Sequence, residues 1–191
     1  DSVDQVIVAA EVTNKPSDRG QAESMMKVVQ ANTGRIPRQM SADAGYFSKT
    51  AVENLTNQGI NVYMPPDKMR HASATPPAPR GRIPEGISVA DMMRRKLRTK
   101  KGRRCYALRK ELPEPVFGQI KQGRGFRQFL LRGLEKVKGE WQLICTGHNL
   151  LKLFRAWQEG FIKGQGTWED TLATETRSTG NPGHKNLLVL D

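Results

Sequence analysis

The first part of the chain alternates short apolar runs with helical patterns. An almost unbroken apolar run at 6–12 is typical of a strand covered on both faces, and 39–43 and 60–64 fit further short strands. Apolar residues recur at helical spacing between them, with Ser17 or Asp18 as the predicted N-cap of the first helix. Strands that alternate with helices predict a largely parallel sheet with right-handed crossovers, which is an α/β fold.

Single polar and glycine residues predict where several helices begin and end. Ser48 is the predicted N-cap of the second helix, and Gly34 is predicted to end the first. Ser88 and Asp91 have the spacing of a capping box, so we expect a basic helix over 89–100.

The last third of the chain has a helical pattern that then stops. Apolar residues form one stripe over 126–137, and the segment 141–157 is apolar nearly all round, as a buried helix should be. Cys145 and His148 are spaced like metal ligands, but they lie in this apolar segment without a second pair, so we expect core residues. Gly, Thr, Ser, Asn and charged residues dominate 160–191, which predicts a loose tail.

Composition divides the chain into four parts. The proline-rich segment 65–87 has no periodicity and predicts a flexible excursion or insertion between ordered parts. In chain order we expect sheet and helices of a core, a flexible insertion with the basic helix, further core helices, and the tail. These parts are 1–64, 65–104, 105–159 and 160–191.

The charge balance narrows the class of partner. The 191 residues include 31 Lys and Arg against 19 Asp and Glu, a formal net charge of +12. Such an excess favours a polyanionic partner, and no stretch approaches the about 20 apolar residues of a membrane span, so nucleic acid is favoured over membrane. Only two cysteines are present, which excludes a disulfide framework and predicts a reducing compartment.

The positive charge is concentrated in one run. Between residues 94 and 110 ten of seventeen positions are Lys or Arg and none is acidic, which is too lopsided for an ordinary solvated face. We therefore expect this run to contact phosphates. Its members are Arg94, Arg95, Lys96, Arg98, Lys100, Lys101, Arg103, Arg104, Arg109 and Lys110.

Two carboxylates have positions that suit metal chemistry. Asp43 stands at the carboxyl end of the predicted 39–43 strand, and Glu114 lies between two prolines that are tolerated together only in the first turn of a helix. Lys121, seven residues further, lies on the same helix face and can reach a phosphate. Carboxylates on rigid elements of a basic protein predict a Mg²⁺ or Mn²⁺ site acting on nucleic-acid phosphodiesters.

Two blocks of the chain also carry a family resemblance. The first is 41–48, with the sequence SADAGYFS, and the second extends from Tyr106 through Glu114 to Lys121. They resemble the second and third acidic positions of DDE-type transposases from bacterial insertion sequences, and the resemblance covers roughly residues 3–155.

The resemblance implies a fold, a reaction and partners. The fold is ribonuclease H-like, a mixed sheet flanked by helices. Asp43 and Glu114 are two of three acids that bind Mg²⁺ or Mn²⁺, while water cuts one DNA strand and the freed 3′-hydroxyl attacks target DNA. The partners are transposon ends and target DNA, bound by a homo-oligomer, and the compartment is the bacterial cytoplasm at the nucleoid.

The resemblance also assigns phosphate-binding residues. Glu114 and Lys121 keep the six-residue gap of the family. Arg109 lies one residue too far from Glu114, whereas Lys110 has the usual three-residue gap, so either fits that role beside Tyr106. The expected DNA-binding residues are Tyr106, Arg109, Lys110 and Lys121 together with Arg94, Arg95, Lys96, Arg98, Arg103 and Arg104.

One position of the resemblance is missing. The first acid of the family lies on a strand upstream of the run that begins near Val6, and Asp1 and Asp4 belong to the turn before that run. We therefore expect the chain to be the carboxyl-terminal part of a transposase and to be inactive alone. Two alternatives remain open: a non-catalytic DNA-binding remnant, and a structural RNA-binding protein supported by charge only.

Overall fold

Helices make up most of the computed structural model, which describes residues 4–68, 76–158 and 187–189, the last by backbone alone. The helices are α1 (Gln21–Thr33), α2 (Lys49–Asn57), α3 (Val89–Arg98), α4 (Lys100–Glu111), α5 (Pro113–Gly118) and α6 (Leu134–Gln158). A 3₁₀ turn spans Ala44–Tyr46, and a π-helical turn spans Gln119–Gly123. The strands are β1 (Gln39–Ser41), β2 (Asn61–Tyr63) and β3 (Leu187–Val189).

The strands form one small parallel sheet in the order β2-β1-β3. Met40, the middle residue of β1, pairs with Val62 of β2 and with Leu188 of β3. Met40 and Val62 are fully buried, as expected for a central strand and its neighbour under helices. The predicted strands at 39–43 and 60–64 and the α/β class are therefore confirmed.

The core lies between this sheet and the helices that flank it. Apolar residues three or four positions apart place one face of α1 and one face of α2 against the strands. Met93 of α3 joins the same cluster. The buried members are Ala22, Met26, Val29, Met40, Ala42, Val52, Leu55, Ile60, Val62, Met64 and Met93.

The predicted helix caps at two serines are confirmed. Ser48 Oγ accepts a hydrogen bond from the backbone N–H of Ala51 at 3.0 Å and so caps α2. Ser88 Oγ accepts from the N–H of Asp91 at 3.0 Å and donates to Asp91 Oδ2 at 2.7 Å, which caps α3.

Both ends of α1 are glycines. Gly34 follows the helix with φ 66° and donates its N–H to the Gln30 carbonyl, as predicted for a C-terminal glycine. The prediction that Ser17 or Asp18 is the N-cap is wrong. Gly20, with φ 82°, occupies that position because the chain enters the helix through a left-handed turn.

The predicted strand at 6–12 is wrong. Both edges of β1 are already paired, with β2 and β3, so no edge of that strand is open to this segment. Side chains of α6 bind its peptide groups instead. Ile7 donates its N–H to Asn149 Oδ1 at 2.9 Å and accepts from Asn149 Nδ2 at 2.8 Å, and the Gln5 carbonyl lies 3.0 Å from His148 Nε2.

The prediction of a loose tail at 160–191 is wrong for residues 187–189. These residues form β3 and pair in parallel with β1. The apolar residues of this short run suit a strand beside a buried one. Residues 160–186, 190 and 191 lie outside the part of the chain that the structure describes.

The predicted helix over 126–137 is also wrong in its first half. Gly125 has φ 77° and Gly133 has φ 90°, left-handed conformations that a helix cannot contain. The chain bends between these glycines, and α6 begins at Leu134.

The long helix α6 is buried on one side only, which corrects the prediction of a wholly buried helix at 141–157. Cys145 and His148 are buried, so their assignment to the core is confirmed. Leu143 and Leu150 are 73% and 59% exposed. Among the helices in the described ranges, none is both long and apolar enough to cross a bilayer.

The predicted flexible excursion at 65–87 is described only in part, since 69–75 lie outside the described residues. The described flanks contact α3 through polar bonds. Asp67 accepts from Arg94, and the carbonyls of Arg80 and Arg82 accept from Arg95 at 3.2 and 3.4 Å. These bonds fix the chain on either side of the gap.

The junction between α3 and α4 requires a glycine. Thr99 caps α4 by accepting the N–H of Gly102 at 3.0 Å. A Cβ at Gly102 would collide with the carbonyl oxygen of Lys96 and approach Leu97 Cα within 3.0 Å. The close approach sets how α4 leaves α3.

Substitution of this glycine tests the junction. We expect Gly102→Ala to lower the free energy of unfolding by about 1–3 kcal/mol because backbone atoms must move. Gly139→Ala is the matched control: a Cβ at Gly139 of α6 meets nothing within 4 Å, so it should stabilise by about 0.5–1 kcal/mol. Urea unfolding measures both, and equal effects of the two substitutions would contradict the packing described.

Candidate functional site

Asp43 lies two residues beyond β1 and is fixed by its own side chain. Its Oδ1 accepts the N–H of Ala44 at 2.7 Å and so caps the Ala44–Tyr46 turn. The residue before it, Ala42, is fully buried in the core. Asp43 itself is exposed, so Oδ2 is accessible to a ligand. A rigid strand end therefore presents an accessible carboxylate, as the sequence predicts.

A second acid lies beside the same turn. A Cβ built on Gly45 would lie 3.0 Å from Asp18 Oδ2, so the Asp18 carboxylate is in close contact with this backbone. The sequence predicts Asp18 only as a helix cap. No sequence signal connects Asp18 with Gly45, because the contact depends on how α1 packs next to the turn.

Glu114 lies in the first turn of α5, as predicted. Pro113 occupies the first helical position, where the missing N–H removes no hydrogen bond. Glu114 is exposed and is the acidic residue of that turn, where free backbone N–H groups favour a negative charge.

The connection between the two acids runs through α4. This helix packs on β1 through Cys105, whose Sγ lies 3.5 Å from Gln39 Oε1, and α5 follows α4 after a single residue. In the described ranges, the Asp43 carboxylate accepts from Ala44 and shares no hydrogen-bond partner with Glu114. No three His, Cys, Asp or Glu side chains in those ranges lie close enough together to hold a metal ion. The convergence of Asp43 and Glu114 on one metal site therefore stays a prediction.

Lys121 lies in the π-helical turn that follows α5. Its Nζ is 5.2 Å from the centre of the Phe117 ring, and the side chain is exposed. Phe117 in turn stacks on Trp141 of α6, with ring centres 6.1 Å apart. The wider π turn changes the face that Lys121 occupies relative to an unbroken α-helix.

Tyr106 and Arg109 form a pair on α4. The Arg109 guanidinium carbon lies 5.4 Å from the centre of the Tyr106 ring, and both side chains are half-buried. Lys110 is exposed at the same end of the helix. Both candidates for the phosphate-binding role therefore remain open, with Lys110 the more accessible.

The first cation of the basic run is bound to two carboxylates. Arg94 Nε and Asp67 Oδ2 are 2.6 Å apart, and Arg94 Nη1 lies 2.6 Å from Asp91 Oδ1. The Arg94 guanidinium lowers the pKa of the Asp67 carboxyl. The hydrogen bond from Ser88 is the larger cause that lowers the pKa of Asp91, and the hydrogen bond from Arg94 is the second. Much of the positive charge of Arg94 is thus balanced within the chain.

Lys96 points into the protein. Its Nζ donates to the Val62 carbonyl of β2 at 2.7 Å and lies 4.6 Å from the centre of the Tyr63 ring. Burial lowers the pKa of Lys96 to about 8. Burial raises the pKa of Tyr63 to about 12, and a hydrogen bond with Cys105 is a smaller cause in the same direction. Lys96 therefore holds α3 to the sheet.

The remaining cations of α3 also have contacts within the chain. Arg95 donates to the carbonyls before α3, and Arg98 Nε donates to the Arg94 carbonyl at 3.4 Å. On α4, in contrast, the basic residues are exposed apart from Arg109. The exposed cations are Lys100, Lys101, Arg103, Arg104 and Lys110. These five residues are called the α4 cations below.

A family comparison adds to this geometry. Residues 82–154 match the family model of the transposase DDE domain. The matched segment includes the α4 cations, Glu114 and Lys121, and it does not reach Asp43. The resemblance to DDE-type transposases is therefore confirmed for this segment. Searches of curated proteins and of solved structures gave no match.

The lowered pKa of Lys96 predicts a pH dependence of stability. Below about pH 8, both the folded and the unfolded chain carry the proton. Above it the folded state loses the proton first, while the unfolded state keeps it up to a pKa near 10.5. The unfolded state then binds more protons, so the free energy of unfolding should rise with pH in this window.

Lys96→Met should remove this rise, whereas Lys27→Met, at an exposed position of α1, should keep it. Urea unfolding between about pH 7.5 and about pH 9.5 measures the slope, which stays below about 1.4 kcal/mol per pH unit because part of the side chain contacts water. An identical slope in wild type and Lys96→Met would show that Lys96 is not buried as described.

Proposed function

We propose that the chain acts in DNA transposition, by metal-dependent cleavage of a DNA phosphodiester and strand transfer. The observation that carries the proposal is the transposase DDE match over 82–154. In the matched segment, Glu114 lies in the first turn of α5, the helix that follows the α4 cations. We further propose a ribonuclease H-like fold, a homo-oligomer on transposon ends and target DNA, and a location at the bacterial nucleoid.

Asp43 and Glu114 are the proposed ligands of Mg²⁺ or Mn²⁺. Both side chains are exposed carboxylates on fixed backbone, and hard divalent cations prefer such oxygen ligands. A bound divalent cation would lower the pKa of water and stabilise charge on the leaving oxygen. The protein's own part is to hold the two carboxylates and to keep the DNA strand in place beside them.

The α4 cations and Lys121 are the proposed contacts of the DNA backbone. They are exposed, and α4 leads directly into the helix that carries Glu114. Arg94, Arg95, Lys96 and Arg98 have contacts within the chain, so we assign them a structural role in place of the DNA contact expected from the sequence. The proposed interface therefore extends from α4 to the π-helical turn that follows α5.

We also propose that this chain alone does not cleave DNA. The resemblance implies three acids, and the proposal assigns two of them, Asp43 and Glu114. A purified chain that nicks DNA with Mg²⁺, and loses this activity in Asp43→Ala, would overturn this part of the proposal.

Metal binding tests the acidic pair. Asp43→Asn and Glu114→Gln should each weaken Mn²⁺ binding by about tenfold or more, or about 1.4 kcal/mol, because each removes one charged ligand. Glu85→Gln, at an exposed loop acid, is the matched control and should bind like wild type. Electron paramagnetic resonance of free Mn²⁺ gives the affinities. Unchanged binding in the double variant would favour the non-catalytic DNA-binding remnant.

Salt dependence tests the DNA interface. Arg103→Gln with Arg104→Gln should weaken binding to duplex DNA and reduce the slope of log K against log salt by about 2, because two phosphate contacts are lost. Lys15→Gln with Lys27→Gln removes the same charge elsewhere and should keep the slope. Fluorescence anisotropy gives both quantities. Tight RNA binding with indifference to duplex DNA would favour the structural RNA-binding protein.

A further inference from the structure

The segment between the π-helical turn and α6 carries an unusual surface. Residues 124–133, called the 124–133 loop below, expose four large apolar side chains in a row of six positions. Phe126 is 42% exposed, Phe129 44%, Leu130 76% and Leu131 48%. Neighbouring exposed apolar residues of this kind mark binding surfaces on proteins.

The loop is fixed by hydrogen bonds. The Glu140 carboxylate of α6 accepts the N–H of Leu130 at 2.8 Å and that of Leu131 at 2.9 Å. At the other end, the N–H of Phe126 donates to the Ile120 carbonyl at 3.2 Å. Because the backbone is bound at both ends, the apolar side chains are presented in a preorganised arrangement.

Aromatic packing connects the loop to the candidate site. Phe129 packs edge-on against Trp141, with ring centres 6.1 Å apart and an interplanar angle of 86°. The same Trp141 stacks on Phe117, whose ring lies under Lys121. Phe117 belongs to α5, the short helix that begins with Glu114 in its first turn. The loop is therefore next to the helix that carries the proposed metal ligand.

The charge of the loop indicates what it binds. It contains Arg124, Arg127 and Arg132 and no acidic residue. Glu140, next to the loop, is occupied by the backbone N–H groups, and Glu135 pairs with Lys138 at 3.1 Å. Guanidinium groups bind phosphates, and exposed aromatic rings bind the flat faces of unpaired bases. A nucleic-acid strand with unpaired bases offers both groups together.

We propose that the 124–133 loop binds unpaired bases of DNA beside the scissile phosphate. Phe126 and Leu130 contact the base faces, and the arginines contact the flanking phosphates. Paired bases hide their faces within the stack, so this surface discriminates frayed or opened DNA from intact duplex. The inference rests on the proposed function, since it assumes that DNA lies along α4 and α5.

The test compares two duplexes of about 30 base pairs, identical except that one has about three unpaired bases at one end. The full chain is titrated against each without divalent metal, and fluorescence anisotropy gives the affinities. Wild type should bind the open-ended duplex about tenfold more tightly, because stacking on side chains adds affinity for each unpaired base.

Three variants separate the loop from the rest of the surface. Phe126→Ala and Leu130→Ala should each reduce the preference for the open end about fivefold and leave the affinity for the paired duplex unchanged. Leu150→Ala is the matched control: Leu150 is 59% exposed on α6, ten residues and about 15 Å beyond Glu140. Since the Leu130 side chain is itself 76% exposed, its removal should not unfold the protein, and circular dichroism checks this.

The outcomes distinguish the two proposals. Equal wild-type affinity for both duplexes overturns the loop's role and leaves the DNA interface of α4 in place. The loop's role is also overturned if Phe126→Ala and Leu130→Ala weaken binding to the open-ended and the paired duplex by the same factor. It is overturned likewise if neither variant reduces the preference for the open end. Failure of wild type to bind either duplex overturns the proposed function and this inference with it.

Discussion

The contact between the α3–α4 pair and the sheet is the constraint on which the rest of the structure depends. Lys96 reaches from α3 to the Val62 carbonyl of β2, and Cys105 of α4 contacts Gln39 of β1. The helices can approach in this way only because Gly102 has no side chain to meet the Lys96 carbonyl. Through these contacts, the segment that matches the transposase DDE domain is held to the sheet whose strand β1 ends two residues before Asp43.

This constraint also explains how the positive charge is divided. The cations of α3 lie near carboxylates and carbonyls, so they stabilise the fold, and burial lowers the pKa of one of them, Lys96. The α4 cations lie on the next helix and form no ion pair with a carboxylate in the described part of the chain, so their charge extends into solvent. A run that is uniform in sequence thus forms two surfaces with different surroundings.

Local features of the fold could be predicted from the sequence. The strands at β1 and β2, the serine caps of α2 and α3, and the C-terminal glycine of α1 depend on residues within a few positions of one another. The positions of Asp43 after a strand and of Glu114 after Pro113 are of the same kind.

What could not be predicted depends on distant partners. The 6–12 run has the composition of a strand, but a strand also needs a neighbouring backbone, and here the Asn149 side chain takes that place. The apolar pattern of α6 gives no information on which face the rest of the chain covers. Likewise, Asp67 is 27 positions from Arg94, and Asp18 meets Gly45 only through tertiary packing.

We propose that Asp43 and Glu114, two acids far apart in the chain, share a divalent cation next to a basic helix. Anomalous diffraction from crystals grown with Mn²⁺ tests it most directly. A shared site requires an ion with one oxygen of Asp43 and one of Glu114 each about 2.1 Å away. Carboxylates that face different surfaces, with no ion between them, would contradict it.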